Sequence, residues 1–257
     1  MQPKPSRRDF IATVAAAPLA FAAACSPTEP KGSPINGPAR LRLQARERTR
    51  GTVTGNDVIY GEDLRRAYLR VPPTYTPFVP APLIVALHPG GGRGDTFEAA
   101  FASRTDALGA IVIAPDSLGQ TWDIVQGTRF SADVPFINDI LDQVFDRCNI
   151  DTSRIAMLGF SDGASYALSL GLSNGDQVAG IVAFSPGFYE VDALHGKPAV
   201  FMSHGTSDTV LPISLSQGIV ADLEGKGYDV TFVEFDGRHE VPIAIADQAM
   251  AWLDTRI

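Results

Sequence analysis

Short, continuous apolar runs recur along the chain at residues 67–71, 83–87, 110–114, 155–158, 180–184, 199–202 and 230–235. Runs that are apolar at every position, rather than at alternate ones, predict strands buried on both faces. Between several of them, and after the last, apolar residues fall at helical spacing over 133–148, 162–172, 213–226 and 243–253. Strands alternating with helices in this way predict an α/β fold, a mostly parallel sheet with helices on both faces. Earlier strands, from Leu41 on, are expected to add an antiparallel edge. In such sheets ligands gather beyond the carboxyl ends of the strands. The residues that follow each apolar run are therefore where chemistry is expected.

The N-terminal segment stands apart from this pattern. Ser6-Arg7-Arg8-Asp9-Phe10-Ile11 sets two arginines before an Ala-rich apolar run, 11–24, that Pro18 interrupts. The run is too short and too mild for a transmembrane helix, which takes about 20 strongly apolar residues. The arginine pair resembles a twin-arginine export signal, read by a dedicated export machinery; Ala12 stands where a basic residue is usual. That resemblance implies a signal peptide over 1–24 and a mature protein that is periplasmic or extracellular. Ala22-Ala23-Ala24-Cys25 resembles a lipoprotein processing site, which would leave Cys25 lipidated and tether the protein to a membrane. Ordinary signal peptidase would cut the same bond and leave no tether. Residues 25–40, rich in Pro, Gly and Ser, predict a flexible linker, which leaves 41–257 as one folded domain.

Composition adds bounds. With 45% hydrophobic residues, 19% charged residues and 257 positions, the chain can fold around its own core without disulfide or metal staples. A formal net charge of -8 argues against a nucleic-acid partner, and removal of Lys4, Arg7, Arg8 and Asp9 with the signal makes the remainder more acidic still. Of the two cysteines, Cys25 lies at the processing site and Cys148 on a helical stretch, so no intrachain disulfide is expected. Cys148 reads as a small core residue. No His/Cys/Asp grouping has metal-ligand spacing, so neither a metal nor another cofactor is expected.

The strand ends carry the chemistry. After 155–158 comes Gly159-Phe160-Ser161-Asp162-Gly163, a G-x-S-x-G pentapeptide between a strand and a helix. In that context the motif makes a sharp turn that lifts a serine hydroxyl above the sheet, as in α/β-hydrolases. Flanking side chains would strike neighbouring backbone there, hence the glycines. The chain order that goes with this turn is Ser, then an acid, then His. His204-Gly205-Thr206-Ser207-Asp208 follows 199–202, and Asp236-Gly237-Arg238-His239 follows the last strand. Ser161 is thus read as nucleophile, His239 as base and Asp208 as the acid that orients the imidazole. Asp236 is read as a turn residue before Gly237. His88 and His204 are read as strand-end histidines that satisfy local hydrogen bonds, and His195 as a loop residue.

The first strongly apolar run ends in His88-Pro89-Gly90-Gly91-Gly92, without the lysine and spacing of a phosphate-binding loop. It reads as half of an oxyanion hole, whose other donor is the N–H of Asp162, after the nucleophile. Pro89 has no N–H, which leaves Gly90 first and Gly91 second. The Asp162 carboxylate is left without a role, as an exposed group at a helix start.

Together these segments, with Phe184-Ser185-Pro186-Gly187, resemble the phospholipase/carboxylesterase family of α/β-hydrolases from about residue 80 to the end. Feruloyl and acetyl-xylan esterases and polyhydroxybutyrate depolymerases share much of the pattern. Pro89 and Arg238 depart from it. The resemblance implies that 41–257 is a catalytic domain that hydrolyses small-molecule or polymeric esters through an acyl-enzyme. The same three residues would equally serve a thioesterase, a polyester depolymerase or a peptidase; loss of one would have indicated a binding module, and none is lost. Only a loop fits between Pro186 and the next strand, so no substantial lid is expected. Trp122, Phe188 and Tyr189 follow strand ends and are the expected walls of a substrate pocket. Arg129 and Asp133 are assigned to the loop and helix start that follow.

Overall fold

Continuous apolar strands and amphipathic helices alternate in the computed structural model, which describes residues 39–45, 53 and 55–257. The export signal and most of the linker read from the sequence lie outside the described residues. The chain lays down β1 (Asp57–Tyr60), β2 (Arg66–Arg70), β3 (Ala81–Leu87), α1 (Gly94–Ala107), β4 (Ile111–Pro115), α2 (Asp133–Arg147) and β5 (Ile150–Phe160). It continues with α3 (Asp162–Ser173), β6 (Gly180–Phe184), β7 (Ala199–Gly205), α4 (Ile213–Gly225), β8 (Val230–Phe235) and α5 (Ile243–Asp254).

The strands form one sheet of order β1-β2-β4-β3-β5-β6-β7-β8. From β4 to β8 every pairing is parallel; β2 runs antiparallel to both β1 and β4. Alternation along β3 explains why its whole run is apolar. Leu83, Val85 and Leu87 pack with Ile137 and Leu141 of α2, Leu170 of α3 and Leu223 of α4. Ile84 and Ala86 pack on the other face with Phe97 and Phe101 of α1 and Met250 and Leu253 of α5. Each such side chain contributes about 1.5–3 kcal/mol on burial, so both faces need their helices. This is the α/β-hydrolase arrangement, and residues 185–198 between β6 and β7 carry no helix that could form a lid. No helix among the described residues is long and apolar enough to cross a membrane.

Three sequence expectations change. The antiparallel edge begins at Asp57; Leu41 and Leu43 are buried without joining a strand ladder. Ala39 and Arg40, expected to end the linker, are already packed: the Ala39 N–H donates to Asp192, and the Arg40 guanidinium holds Asp176 and the Ser173 carbonyl. Helix α1, absent from the expected elements, buries only Gly94, Phe97, Phe101 and Thr105, too few large apolar residues to stand out as a stripe. Cys148 is a buried core residue, as expected.

Strand order reverses at β3, whose sequential neighbour β4 lies on one side and β5 on the other. The crevice beyond the carboxyl ends of β3 and β5 is the switch point at which open α/β sheets bind ligands.

Candidate active site

Ser161 stands directly after β5 with φ 56° and ψ −120°, a left-handed backbone rarely adopted by a side-chain-bearing residue. Such a conformation costs about 1–3 kcal/mol and persists only where its surroundings enforce it. Two close approaches do so. A Cβ on Gly159 would lie 2.1 Å from the Gly163 carbonyl oxygen, and one on Gly163 would lie 2.0 Å from that of Leu87. The glycines let the first turn of α3 press against β5 and β3 at once. Gly163→Ala is therefore expected to destabilise the fold by about 3 kcal/mol or more, read as a lowered denaturant midpoint, and to remove most activity in the protein that remains folded.

Parallel pairing of β5, β6, β7 and β8 brings three loops together. His239 Nε2 lies 2.8 Å from Ser161 Oγ, and His239 Nδ1 lies 2.6 Å from Asp208 Oδ2. With the Nδ1 proton donated to Asp208, Nε2 is free to accept the serine proton. The Asp208 side chain is inaccessible to solvent. Its Oδ1 accepts the N–H groups of Val210 and Leu211, at 2.8 and 2.9 Å. Burial alone would push this carboxyl up; the bonds from His239, Leu211 and Val210 outweigh it and hold the pKa below the ordinary carboxylate value. Phe160 packs against the His239 ring, with centroids 4.8 Å apart. Asp236 is exposed on the turn before His239.

His204 supports this arrangement from behind. Fully buried on β7, it places Nε2 2.8 Å from the Leu211 carbonyl and 3.2 Å from Asp208 Oδ2, and Nδ1 2.7 Å from Ser216 Oγ. It thereby props the loop that carries Asp208. Gly205 also matters, because a Cβ there would lie 2.3 Å from the Arg238 carbonyl. That contact lets the loops after β7 and β8 touch.

The glycine-rich loop distinguishes the two donor candidates. The Gly91 N–H donates to the Gln120 carbonyl at 2.6 Å, and that of Gly92 to Pro89 at 2.8 Å. The N–H groups of Gly90 and Asp162 have no partner among the described residues. His88 anchors the loop as a neutral ring: Nδ1–H donates to the Pro89 carbonyl at 2.8 Å, and Nε2 accepts the Ser117 N–H at 3.0 Å. Burial lowers its pKa, against the opposing pull of the Pro89 carbonyl. His195 sits half-buried in the loop after β6, its backbone N–H donated to Leu172.

Trp122 does not line the cleft, contrary to the sequence expectation. It is completely buried, stacked on Tyr166 with centroids 4.8 Å apart, and its indole N–H donates to the His88 carbonyl at 2.9 Å. A side chain that reads as a pocket wall is instead the support behind the glycine-rich loop. Phe188 and Tyr189 are half-buried against the core, and the Tyr189 hydroxyl is committed to Asp222 on α4. The neighbouring Glu190 pairs with Arg129 at 2.8 Å, which joins the loops after β6 and β4.

The loop after β4 is shaped by a buried carboxylate pair. Asp133, at the start of α2, accepts the Arg65 guanidinium at 2.5 Å and the N–H groups of Leu118 and Asp123 at 3.0 and 2.8 Å. Burial and the nearby Asp123 charge raise its pKa. This network fixes Gln120 and Thr121, two residues that carried no signal in the sequence. Thr121 Oγ1 donates to Asp162 Oδ2 at 2.6 Å, so the carboxylate left without a role is a contact between loops.

The Phospholipase/Carboxylesterase family profile matches residues 120–256. The chain is 26% identical over 210 residues to feruloyl esterase C of Emericella nidulans, an alignment covering 68% of this chain and 76% of that protein. It is 31% identical over 180 residues to feruloyl esterase D of Neurospora crassa, covering 65% and 60%. The solved carboxylesterase of Bacillus cereus shares the fold, with a TM-score of 0.60 and 19% identity over 76% of this chain and 95% of that one.

Proposed function

The chain belongs to the phospholipase/carboxylesterase family and is a carboxylic-ester hydrolase; from that premise we propose that it is an exported serine esterase working through an acyl-enzyme. Ser161 Oγ attacks the ester carbonyl as His239 Nε2 takes its proton. Asp208 holds the ring in the tautomer that can accept this proton and stabilises the imidazolium that results. The negative oxygen of the tetrahedral intermediate is met by the N–H groups of Gly90 and Asp162. The proton on His239 passes to the departing alkoxide, and a water deprotonated by the same imidazole then releases the acid. The observation that carries this reading is the single imidazole bridging Ser161 and Asp208 at 2.8 and 2.6 Å.

For the substrate we propose an ester with an aromatic acyl group, because two relatives are named feruloyl esterases. The lidless loop 185–198 and the half-buried Phe188 within it are compatible with a flat acyl group lying in an open cleft. Export to the periplasm or beyond rests on Arg7-Arg8 and the apolar run after them, and a lipid tether at Cys25 on the small residues before it. A fluorophosphonate probe is expected to label the peptide carrying Ser161 and to stop hydrolysis in proportion. A fully labelled protein that still turns over ester would remove Ser161 from the mechanism. Methyl ferulate should give a higher kcat/KM than methyl esters of short aliphatic acids; the reverse ranking overturns the aromatic assignment alone.

A further inference from the structure

Three strand-end loops meet at the Asp162 carboxylate. Asp162 opens α3, immediately after Ser161. Its Oδ2 accepts the Thr121 hydroxyl at 2.6 Å, from the loop after β4. Gly90, from the loop after β3, packs so closely on the same oxygen that a Cβ there would lie 2.4 Å from it. The β3 and β4 loops are also tied to each other, because the Gly91 N–H donates to the Gln120 carbonyl at 2.6 Å. Thr121 is itself fixed by Gln126, whose Nε2 donates to the Thr121 carbonyl at 2.7 Å.

This is not a helix cap. Among the described residues, the Asp162 carboxylate takes no N–H from the first turn of α3, and its hydrogen-bond partner belongs to another loop. Its position is also electrostatically awkward, since a carboxylate beside a developing oxyanion opposes the charge that the site must stabilise. A hydroxyl donor fixes its orientation and offsets part of that charge. The two N–H groups assigned to the oxyanion belong to Gly90 and Asp162, the two residues brought together in this contact.

We propose that Thr121 is a positioning residue for the oxyanion hole: its hydroxyl holds the Asp162 carboxylate against Gly90 and so sets the separation of the two donors. The proposal rests on the serine-esterase reading above. Because the donors act on an oxygen that becomes fully negative only during the reaction, misplacement lowers kcat more than it raises KM. A displacement on the order of 1 Å can cost about a hundredfold in rate.

Thr121→Val removes the hydroxyl at nearly constant volume, and Thr121→Ser keeps it. The valine variant is expected to lose about 10- to 100-fold in kcat with KM nearly unchanged. It should bind an aryl trifluoromethyl ketone, whose adduct with the serine carries the oxyanion, more weakly by a similar factor. The serine variant should recover most of both. Melting temperatures measured on all three proteins separate misplacement from misfolding. An unimpaired valine variant overturns the proposal, and so does a kcat loss that serine fails to recover or that follows the melting temperature. Fluorophosphonate labelling of the unsubstituted protein tests the parent reading separately: absence of label at Ser161 overturns that reading, whereas labelling alongside an unimpaired Thr121→Val protein overturns only the positioning role.

Discussion

Ser161→Ala is expected to lower kcat about a millionfold on any ester that the protein hydrolyses, to abolish fluorophosphonate labelling and to leave KM within a few-fold. The size follows from the proposed mechanism, in which the three side chains act as a unit. Without Oγ there is no nucleophile for His239 to deprotonate, so His239 and Asp208 lose their effect together, and only ester binding and the N–H groups of Gly90 and Asp162 remain. These alone sustain about 10³–10⁴-fold over uncatalysed hydrolysis. The fold should be little affected. Alanine meets the same left-handed backbone strain as serine, and the side-chain bond lost among the described residues, to His239 Nε2, is worth about 1 kcal/mol. Circular dichroism and the unfolding midpoint check that condition. A folded variant retaining a hundredth of the activity would mean that another group attacks the ester.

How much of this could be read from the chain depends on how local the constraint is. Ser161 is legible because the elbow is a five-residue device whose glycines are dictated by backbone approach, 2.1 Å at Gly159 and 2.0 Å at Gly163 for any added Cβ. Asp208 and His239 are legible for a topological reason: in a parallel sheet the ends of adjacent strands are neighbours, so a residue just after β7 and one just after β8 are brought beside Ser161. Thr121 has no such mark. It lies in the irregular segment between β4 and α2, whose shape is set by Asp123, Asp133 and Arg65; Arg65 lies 68 residues before Asp133, and the three meet only when α2 packs. Trp122 misleads for a related reason. An aromatic residue after a strand can face the cleft or the core, and the choice is made by Tyr166 on α3 and the carbonyl of His88 on the next loop. The packing of Ala39 and Arg40 depends likewise on Asp192 and Asp176, more than a hundred residues away, and nothing local separates them from the linker.

Asp208→Asn is expected to keep the fold and lower kcat about 10⁴-fold. The asparagine oxygen can take over the N–H groups of Val210 and Leu211 that Oδ1 now accepts. Its NH2 then faces His239 Nδ1 and turns that nitrogen from donor into acceptor. The ring proton moves to Nε2, which can no longer accept the Ser161 proton. His204 does not rescue the tautomer, since its Nε2 is already engaged with the Leu211 carbonyl. The substitution has a second signature in stability. Because the folded carboxyl titrates below its ordinary value, its contribution is present above the unfolded pKa of about 3.9 and is lost as pH falls through the lower folded value. The stability difference between the native protein and the Asp208→Asn variant should therefore shrink as pH is lowered through that window, because both side chains are then uncharged. Urea unfolding between neutral and strongly acidic pH measures it, and steady-state kinetics measures the loss in kcat. A variant that keeps its rate within tenfold would move the acid elsewhere, first to Asp236. That residue is exposed on the turn before His239, where solvent would weaken its hold on an imidazolium.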